Sequence, residues 1–231
     1  MPGAVALVLA GGSGTRMGRP KQFIELLGRP ALYHTLRAFQ EAREVERIYA
    51  VGEEERIRDL ASGCGIDKLC GCARPGESRA LSARNGLLLC GEEDGVICLI
   101  HDGSRCLVTP QLIGRVVRAV EEGADGAIPA VPVPDTIKVA DGERVLKTLD
   151  RSSLRAAQTP QAFRLGLLRR VFSAPEEVLR EATDDASLVE RAGGEVRLVP
   201  GERTNIKLTS PEDLVLAEAI LAARERRGSR L

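Results

Sequence analysis

The sequence predicts an α/β fold in which helices cover both faces of a doubly wound, mostly parallel sheet. Segments 4–9 and 96–100 are short and apolar throughout, as is typical of parallel strands buried on both faces. Between the strand-like segments, apolar residues recur at helical spacing, for example Leu36 and Phe39 within 31–42. Strands that alternate with helices over short loops favour parallel βαβ units, whose ligands collect at the carboxyl ends of the strands.

The other elements follow from their own local patterns. Two helices are predicted to begin with a hydroxyl residue as N-cap and a proline in the first helical position, at Thr109-Pro110 and Ser210-Pro211. The remaining predicted strands are 47–51, 68–70, 126–130 and 195–199, and the remaining predicted helices are 57–61, 78–89, 162–172 and 185–192.

The alternation of strands and helices stops between residues 129 and 154, where three prolines lie close together. Strands 136–139 and 145–149, joined across Asp141-Gly142, predict a β-hairpin there. Two strands alone are marginally stable in water, so we expect this protruding hairpin arm, residues 132–154, to pack against a second subunit. No repeat or linker interrupts the chain, which favours a single domain over residues 1–231 and a homodimer joined by the arm.

Composition argues against several classes of protein. The 33 basic and 33 acidic residues cancel, so no overall field favours nucleic acid or an anionic membrane. No apolar run approaches the length of about 20 residues that spans a bilayer, and neither a signal peptide nor a transit peptide is visible, so we expect a cytoplasmic protein. The six cysteines form no CxxC pair, which favours free thiols over a structural zinc site.

The predicted ligand site begins where the first strand ends. Gly11, Gly12 and Gly14 follow the strand directly, with Arg16 and Lys21 a few residues on. These glycines allow the backbone to adopt positive φ and to bring its N–H groups close to a ligand without Cβ atoms in the way. A loop of this kind binds phosphate.

Spacing separates the known phosphate-binding loops. A Walker loop requires Lys-Ser/Thr after its last glycine, but Gly18 is followed by Arg19 and Pro20. A dinucleotide fingerprint requires a glycine where Met17 stands. The whole segment LAGGSGTRMGRPKQF is similar instead to the signature of nucleotidyltransferases that activate sugars and polyol phosphates. The structural alternative is a glycine-rich turn with a solvated basic flank.

Acidic residues near the predicted strand ends offer metal and ribose contacts. The segment that begins at His101 directly follows the strand 96–100 and places Asp102 at the carboxyl end of that strand, where an acid can hold Mg²⁺ or ribose hydroxyls; the alternative is a solvated loop acid. We expect His101 to be a structural residue rather than a base. Asp184 and Asp185 open a predicted helix, so a helix cap is favoured over a metal site.

Seven segments carry a more specific resemblance. In chain order they are LAGGSGTRMGRPKQF, GESRALSARNGL, HDGSR, PDTIK, DRSSLRAAQTPQAF, TDDAS and TNIKLTSPEDL. Their order and spacing resemble the 2-C-methyl-D-erythritol 4-phosphate cytidylyltransferase family of the non-mevalonate isoprenoid pathway, over essentially the whole chain. The family commonly has HDAARP where this chain has HDGSRC, and a glycine pair in place of Pro75-Gly76. Cys106 in place of proline is expected to leave its loop freer.

The resemblance implies a nucleotidyltransferase fold and a role for each matching residue. Arg16 and Lys21 correspond to the pair that stabilises the pentacoordinate phosphorus, and Arg151 and Lys207 to the pair that aims the attacking phosphate; these four are the implied catalytic residues. The implied nucleotide contacts are Ala10, Gly11, Gly12, Gly14, Gly76, Glu77, Ser82 and Asp102. The implied substrate contacts are Asp102, Arg105, Thr136, Arg151, Thr159 and Lys207, of which Thr136 and Arg151 reach the neighbouring subunit's pocket.

The resulting hypothesis is cytidylyl transfer from CTP to 2-C-methyl-D-erythritol 4-phosphate with release of diphosphate. The implied cofactor is Mg²⁺, for which Asp102 is a candidate ligand and the CTP phosphates supply the others. One alternative is a cytidylyltransferase for ribitol 5-phosphate or a similar polyol phosphate. An alternative of another class is a non-catalytic nucleotide-binding regulatory module.

Overall fold

The computed structural model of the chain describes residues 3–12 and 20–228. Its helices are α1 (Ala31–Glu41), α2 (Glu54–Gly63), α3 (Arg79–Leu87), α4 (Pro110–Glu121), α5 (Leu165–Phe172), α6 (Glu176–Glu181), α7 (Asp185–Arg191) and α8 (Pro211–Gly228). Its strands are β1 (Ala4–Leu9), β2 (Glu25–Leu26), β3 (Arg29–Pro30), β4 (Val45–Val51), β5 (Leu69–Ala73), β6 (Ile97–Asp102), β7 (Gly126–Pro132), β8 (Lys138–Asp141), β9 (Arg144–Thr148), β10 (Arg155–Ala157), β11 (Gln161–Arg164) and β12 (Val196–Pro200).

Eight of these strands form one mostly parallel sheet. β5, β4, β1 and β6 lie side by side and parallel. β11 is antiparallel to both β6 and β7, while β7 also pairs antiparallel with β10 and parallel with β12. Six strands therefore point one way, and only β10 and β11 point the other.

The register of the central strands brings their carboxyl ends to one level. Leu9, the last residue of β1, lies opposite Val51 on β4 and Asp102 on β6. The N–H of Ala10 donates to the carbonyl of Val51, and the N–H of Gly103 donates to that of Leu9. The loops that leave β1 and β6 therefore begin side by side at one edge of the sheet.

Helices pack on both faces of the sheet, which confirms the doubly wound prediction. One buried cluster joins the sheet to α1, α2 and α4 through Phe39, Ile57 and Leu112. The opposite face packs against α3, α5 and α7. A third cluster lies under α8 and contains Cys106 and Leu208.

The predicted helix over 162–172 is wrong at its start, because Gln161–Arg164 is a strand. Ala162 and Phe163 are fully buried between β6 and β7, and the helix begins only at Leu165. Four residues are too few for periodicity to separate a buried strand from a helical turn. The sequence prediction also missed β10 and α6.

The predicted hairpin is confirmed, with its strands shifted by one to two residues. β8 and β9 form a separate two-stranded sheet, and the turn between them contains Gly142 with φ of 54°. Every residue of the two strands is exposed except the half-buried Val139. Val145 and Leu146 are among the exposed apolar side chains.

We predict that Gly86→Ala destabilises the fold although alanine normally favours a helix. Gly86 lies on α3, and a Cβ there would press on Leu7 and lie 2.8 Å from Cγ2 of Val51, both in the packed core. Overpacking of this kind lowers the free energy of unfolding by about 1 to 3 kcal/mol, which should appear as a lower urea midpoint. Gly91→Ala is the control, since its Cβ would meet nothing within 4 Å. Equal midpoints for the two variants would contradict the packing argument.

Candidate active site

A cleft of about 560 Å³ opens at the carboxyl ends of β1 and β6. Residues from five separated segments line it, and nine of them were implied by the sequence. These nine are Ala10, Gly11, Gly12, Lys21, Gly76, Glu77, Ser82, Asp102 and Lys207. The described part of the chain thus brings most of the implied nucleotide contacts to one place.

The glycines at the end of β1 leave room for a neighbouring loop. A Cβ on Gly11 would lie 2.6 Å from Cβ of Pro75, so this position requires glycine for close packing. Gly11 and Gly12 do not use the positive φ that glycine allows. Gly14 and Arg16 lie outside the described residues.

Lys21 reaches the cleft from a short 3-10 turn, Lys21–Phe23, that follows Pro20. Its Nζ donates to the carbonyl oxygen of Leu208 at 3.1 Å, which places it beside the segment that carries Lys207. Gln22 donates through Nε2 to the carbonyl of Gly12 at 3.3 Å. These bonds tie the two sides of the glycine-rich loop to each other and to the cleft.

The segment from Gly76 to Ser82 folds back on the start of α3. Ser78 is the N-cap, and its Oγ accepts from the N–H of Leu81 at 3.2 Å. Oγ of Ser82 accepts from the N–H of Gly76 at 3.0 Å and donates to the carbonyl of Ser78 at 2.8 Å. The exposed Glu77 pairs with Arg180 at 2.6 Å. The backbone of this segment is therefore a fixed wall of the cleft.

Four charged side chains meet at the base of the cleft. Arg79 donates through Nη1 and Nη2 to the two carboxylate oxygens of Asp185, each at 2.8 Å. Its Nε donates to Oδ1 of Asp102 at 2.8 Å. The other Asp102 oxygen accepts from Nζ of Lys207, also at 2.8 Å. Two cations and two carboxylates thus form one continuous network.

Electrostatics keep Asp102 ionised. Burial raises the pKa of its carboxyl, but the charges and hydrogen bonds of Arg79 and Lys207 outweigh burial and hold that pKa well below its usual range. Burial also lowers the pKa of Arg79, and the two carboxylates reverse this and raise it. Burial raises the pKa of the fully buried Asp185, and Arg79 opposes that shift.

His101 is a structural residue, as expected. It is fully buried, and desolvation lowers its pKa to about 3, so the ring is neutral at neutral pH. Oγ1 of Thr159 accepts from the N–H of Asp102 at 3.0 Å, so its hydroxyl donates to Nδ1 of His101, also at 3.0 Å. Nε2 then donates to the carbonyl of Arg105 at 3.2 Å. Thr159 and His101 together hold the loop that follows β6.

Arg105 lies behind the cleft wall rather than on it. Its Nη1 donates to the carbonyl of Asn205 at 2.9 Å, and burial lowers its pKa. Cys106 was expected to leave this loop freer, but its side chain is buried in the cluster that contains Leu208. Burial raises the pKa of its thiol to about 12. The N–H of Arg105 donates to the carbonyl of Asp102 at 2.9 Å, which further fixes the loop.

Thr136 and Arg151 do not reach the cleft of their own chain. Both are exposed at the hairpin arm, and Nη1 of Arg151 donates to the carbonyl of Pro134 at 2.6 Å. Neither lines the cleft. The structure therefore separates these two implied substrate contacts from the other site residues within one chain.

Sequence reasoning missed Arg79 and half of the acidic pair on α7. Asp184 is the predicted helix cap, with Oδ1 accepting from the N–H of Ser187 at 3.0 Å. Asp185 is instead the buried partner of Arg79. The available signal was the position of Arg79 directly after a capping serine, inside one of the segments that carried the resemblance.

Two further features bear on function. Within residues 3–12 and 20–228, no group of three or more His, Cys, Asp or Glu side chains is placed to hold a metal ion. None of the helices described there is both long and apolar enough to cross a membrane.

Comparisons with known proteins agree with this geometry. The family model for 2-C-methyl-D-erythritol 4-phosphate cytidylyltransferase matches residues 4–223. The chain is 48% identical over 226 residues to the 2-C-methyl-D-erythritol 4-phosphate cytidylyltransferase of Geobacillus kaustophilus (strain HTA426), covering 95% of this chain and 97% of that protein.

Solved structures share the fold. A crystal structure of 4-diphosphocytidyl-2C-methyl-D-erythritol synthase matches with a TM-score of 0.81 at 30% identity, over 96% of this chain and 100% of that one. The 2-C-methyl-D-erythritol 4-phosphate cytidylyltransferase from Thermus thermophilus matches with a TM-score of 0.76 at 31% identity, over 94% and 98% of the two chains. Because the family model covers residues 4–223, including every segment that lines the cleft, the chain belongs to the 2-C-methyl-D-erythritol 4-phosphate cytidylyltransferase family.

Proposed function

We propose that the chain transfers the cytidylyl group of CTP to 2-C-methyl-D-erythritol 4-phosphate, giving 4-diphosphocytidyl-2-C-methyl-D-erythritol and diphosphate for isoprenoid precursor synthesis. The observation that carries the proposal is one cleft that combines the end of β1, Lys21 and the paired Asp102 and Lys207. The family membership supports the same reaction.

The reaction is an in-line displacement at the α-phosphorus of CTP. A phosphate oxygen of the acceptor forms a new bond to that phosphorus, and the bond to the β-phosphate breaks, so diphosphate leaves. The attacking oxygen is already an anion and requires positioning and charge neutralisation more than a general base. Lys21 and Arg16 are proposed to stabilise the charge that develops on the phosphorus oxygens.

The remaining site residues divide between the two substrates. Gly76, Glu77 and Ser82 are proposed to contact the cytosine, and Ala10, Gly11, Gly12 and Gly14 the triphosphate. Asp102 is proposed to contact the ribose. Arg105 and Thr159 are proposed to contact the acceptor, 2-C-methyl-D-erythritol 4-phosphate. Lys207 is proposed to aim the attacking phosphate of the acceptor, together with the partner subunit's Arg151 and the partner subunit's Thr136.

The donor set fits a divalent cation carried mainly by the nucleotide. Both oxygens of Asp102 already accept from cationic groups, and the described residues hold no acidic cluster that would bind the ion alone. Sites that share Mg²⁺ with substrate phosphates commonly use one or two carboxylates. We propose that the CTP phosphates supply most of the ligands, that Asp102 could add one through a remaining lone pair of its carboxylate, and that Mg²⁺ would neutralise phosphate charge.

We propose that residues 1–231 form a single nucleotidyltransferase domain that works as a homodimer in the cytoplasm, with 132–154 as the dimerisation arm. Two observations support the arm's role. Its strands are almost entirely exposed, and Arg151 and Thr136 lie away from the cleft of their own chain. A two-fold axis would generate two equivalent composite sites.

The acceptor assay tests the proposed function. Purified protein with CTP, Mg²⁺ and 2-C-methyl-D-erythritol 4-phosphate should release diphosphate, and ribitol 5-phosphate should be the poorer acceptor. Lys21→Ala controls for a contaminating enzyme, since loss of a preorganised cation lowers the rate about 10²- to 10³-fold. A preference for ribitol 5-phosphate would assign the other acceptor, and absence of turnover would favour a regulatory module.

Mixing two inactive variants tests the shared site. Heterodimers of Arg151→Ala and Lys207→Ala subunits should contain one site with both lesions and one with neither, so activity should return on mixing. Native mass spectrometry verifies that subunits have exchanged. No recovery in a verified heterodimer would mean that both residues serve the same chain's pocket.

A further inference from the structure

Arg79 bridges two buried carboxylates in a way that only arginine can. Its two terminal nitrogens bind Asp185 side by side while Nε binds Asp102, all at 2.8 Å. A planar guanidinium offers donors in a fixed fork, whereas a lysine ammonium is a single point charge. The direction of the Asp102 carboxylate is therefore set by a rigid group.

Asp185 in turn is anchored to the frame of the fold. Its side chain is fully buried at the start of α7. Gln161 on β11 donates through Nε2 to Asp184 at 2.8 Å and accepts from the N–H of Ala186 at 3.0 Å, which ties this helix end to the sheet. Arg79 thus connects Asp102 to a part of the molecule that cannot shift without disturbing the core.

The orientation of Lys207 depends on Asp102. Its side chain is 43% exposed, and its Nζ is held by Asp102. A long lysine side chain loses considerable rotamer freedom when it is fixed in one direction, so its orientation needs a fixed partner.

We propose that Arg79 is a positioning residue: through Asp185 it fixes the Asp102 carboxylate, which then aims Lys207 into the cleft. This inference rests on the proposed function, because it assigns the acceptor phosphate as the target of Lys207. The same salt bridges would also exist if Arg79 only stabilised the fold, so the test must separate the two roles.

The first variant is Arg79→Lys, which keeps the positive charge and loses the fork. We expect kcat to fall about 10- to 100-fold, because misplacing a reacting group by about 1 Å can cost about 10² in rate. The KM for CTP should change by a smaller factor than kcat, because Asp102 is only one of eight proposed nucleotide contacts. Arg84→Lys is the control, since Arg84 lies on the same helix and pairs with Glu176, away from Asp102.

The second variant, Asp185→Asn, removes only the anchor and allows a readout that is independent of turnover. The chain has five lysines, so reductive ¹³C-methylation should give an NMR spectrum with few signals. The signal that disappears in Lys207→Arg belongs to Lys207. In Asp185→Asn this signal should move towards that of an exposed lysine such as Lys147. Glu176→Gln, which breaks the pair with Arg84, should leave it in place.

The kinetics and the Lys207 signal together distinguish a positioning role of Arg79 from a role in nucleotide binding or in stability. If the folded variants keep kcat within about threefold and the Lys207 signal does not move, the positioning role is wrong. A rise in the KM for CTP alone would overturn it in favour of nucleotide binding, and unfolding of both variants would overturn it in favour of stability alone. If the wild-type protein shows no turnover, the proposed function fails, while the Lys207 signal still tests the link from Asp185 to Lys207.

Discussion

The rest of the cleft depends on a network of two cations and two carboxylates, of which the carboxylates are buried. Removing the buried carboxylates of Asp102 and Asp185 from water costs several kcal/mol each, and this cost is offset only when each keeps its cationic partner. Arg79 donates three hydrogen bonds to the two carboxylates, and Lys207 donates one to the second oxygen of Asp102. The network therefore holds α3, the end of β6, the start of α7 and the segment before α8 in one arrangement.

Strand register explains why these segments can meet. β1, β4 and β6 end level, with Leu9 opposite both Val51 and Asp102, so their loops emerge at one edge. The close approach of Gly11 to Pro75 then brings the loop before α3 against the loop after β1. A nucleotide bound at this edge would contact both loops while its phosphates faced the cations, which suits a reaction that is governed by charge neutralisation.

The sequence predicts the parallel strands, the hairpin and nine residues of the cleft, because apolar periodicity, turn residues and family motifs are local signals. It did not predict β11, since four buried residues fit a strand and a helical turn equally well. The bond between Arg79 and Asp185 joins residues 106 positions apart, and no local pattern reports such a contact. The proposed roles of Thr136 and Arg151 require a second chain, so contacts within one chain do not show them.

Titration of the Asp102 carboxyl by ¹³C NMR tests the charge network most directly, with Asp102→Asn used to assign the signal. Burial alone would raise the pKa of this carboxyl, whereas pairing with Arg79 and Lys207 lowers it. We predict that Asp102 remains ionised at about pH 4, where an ordinary aspartate is half protonated. Half-titration at or above that pH would show that Arg79 and Lys207 do not control the charge of Asp102 and would contradict the proposed network.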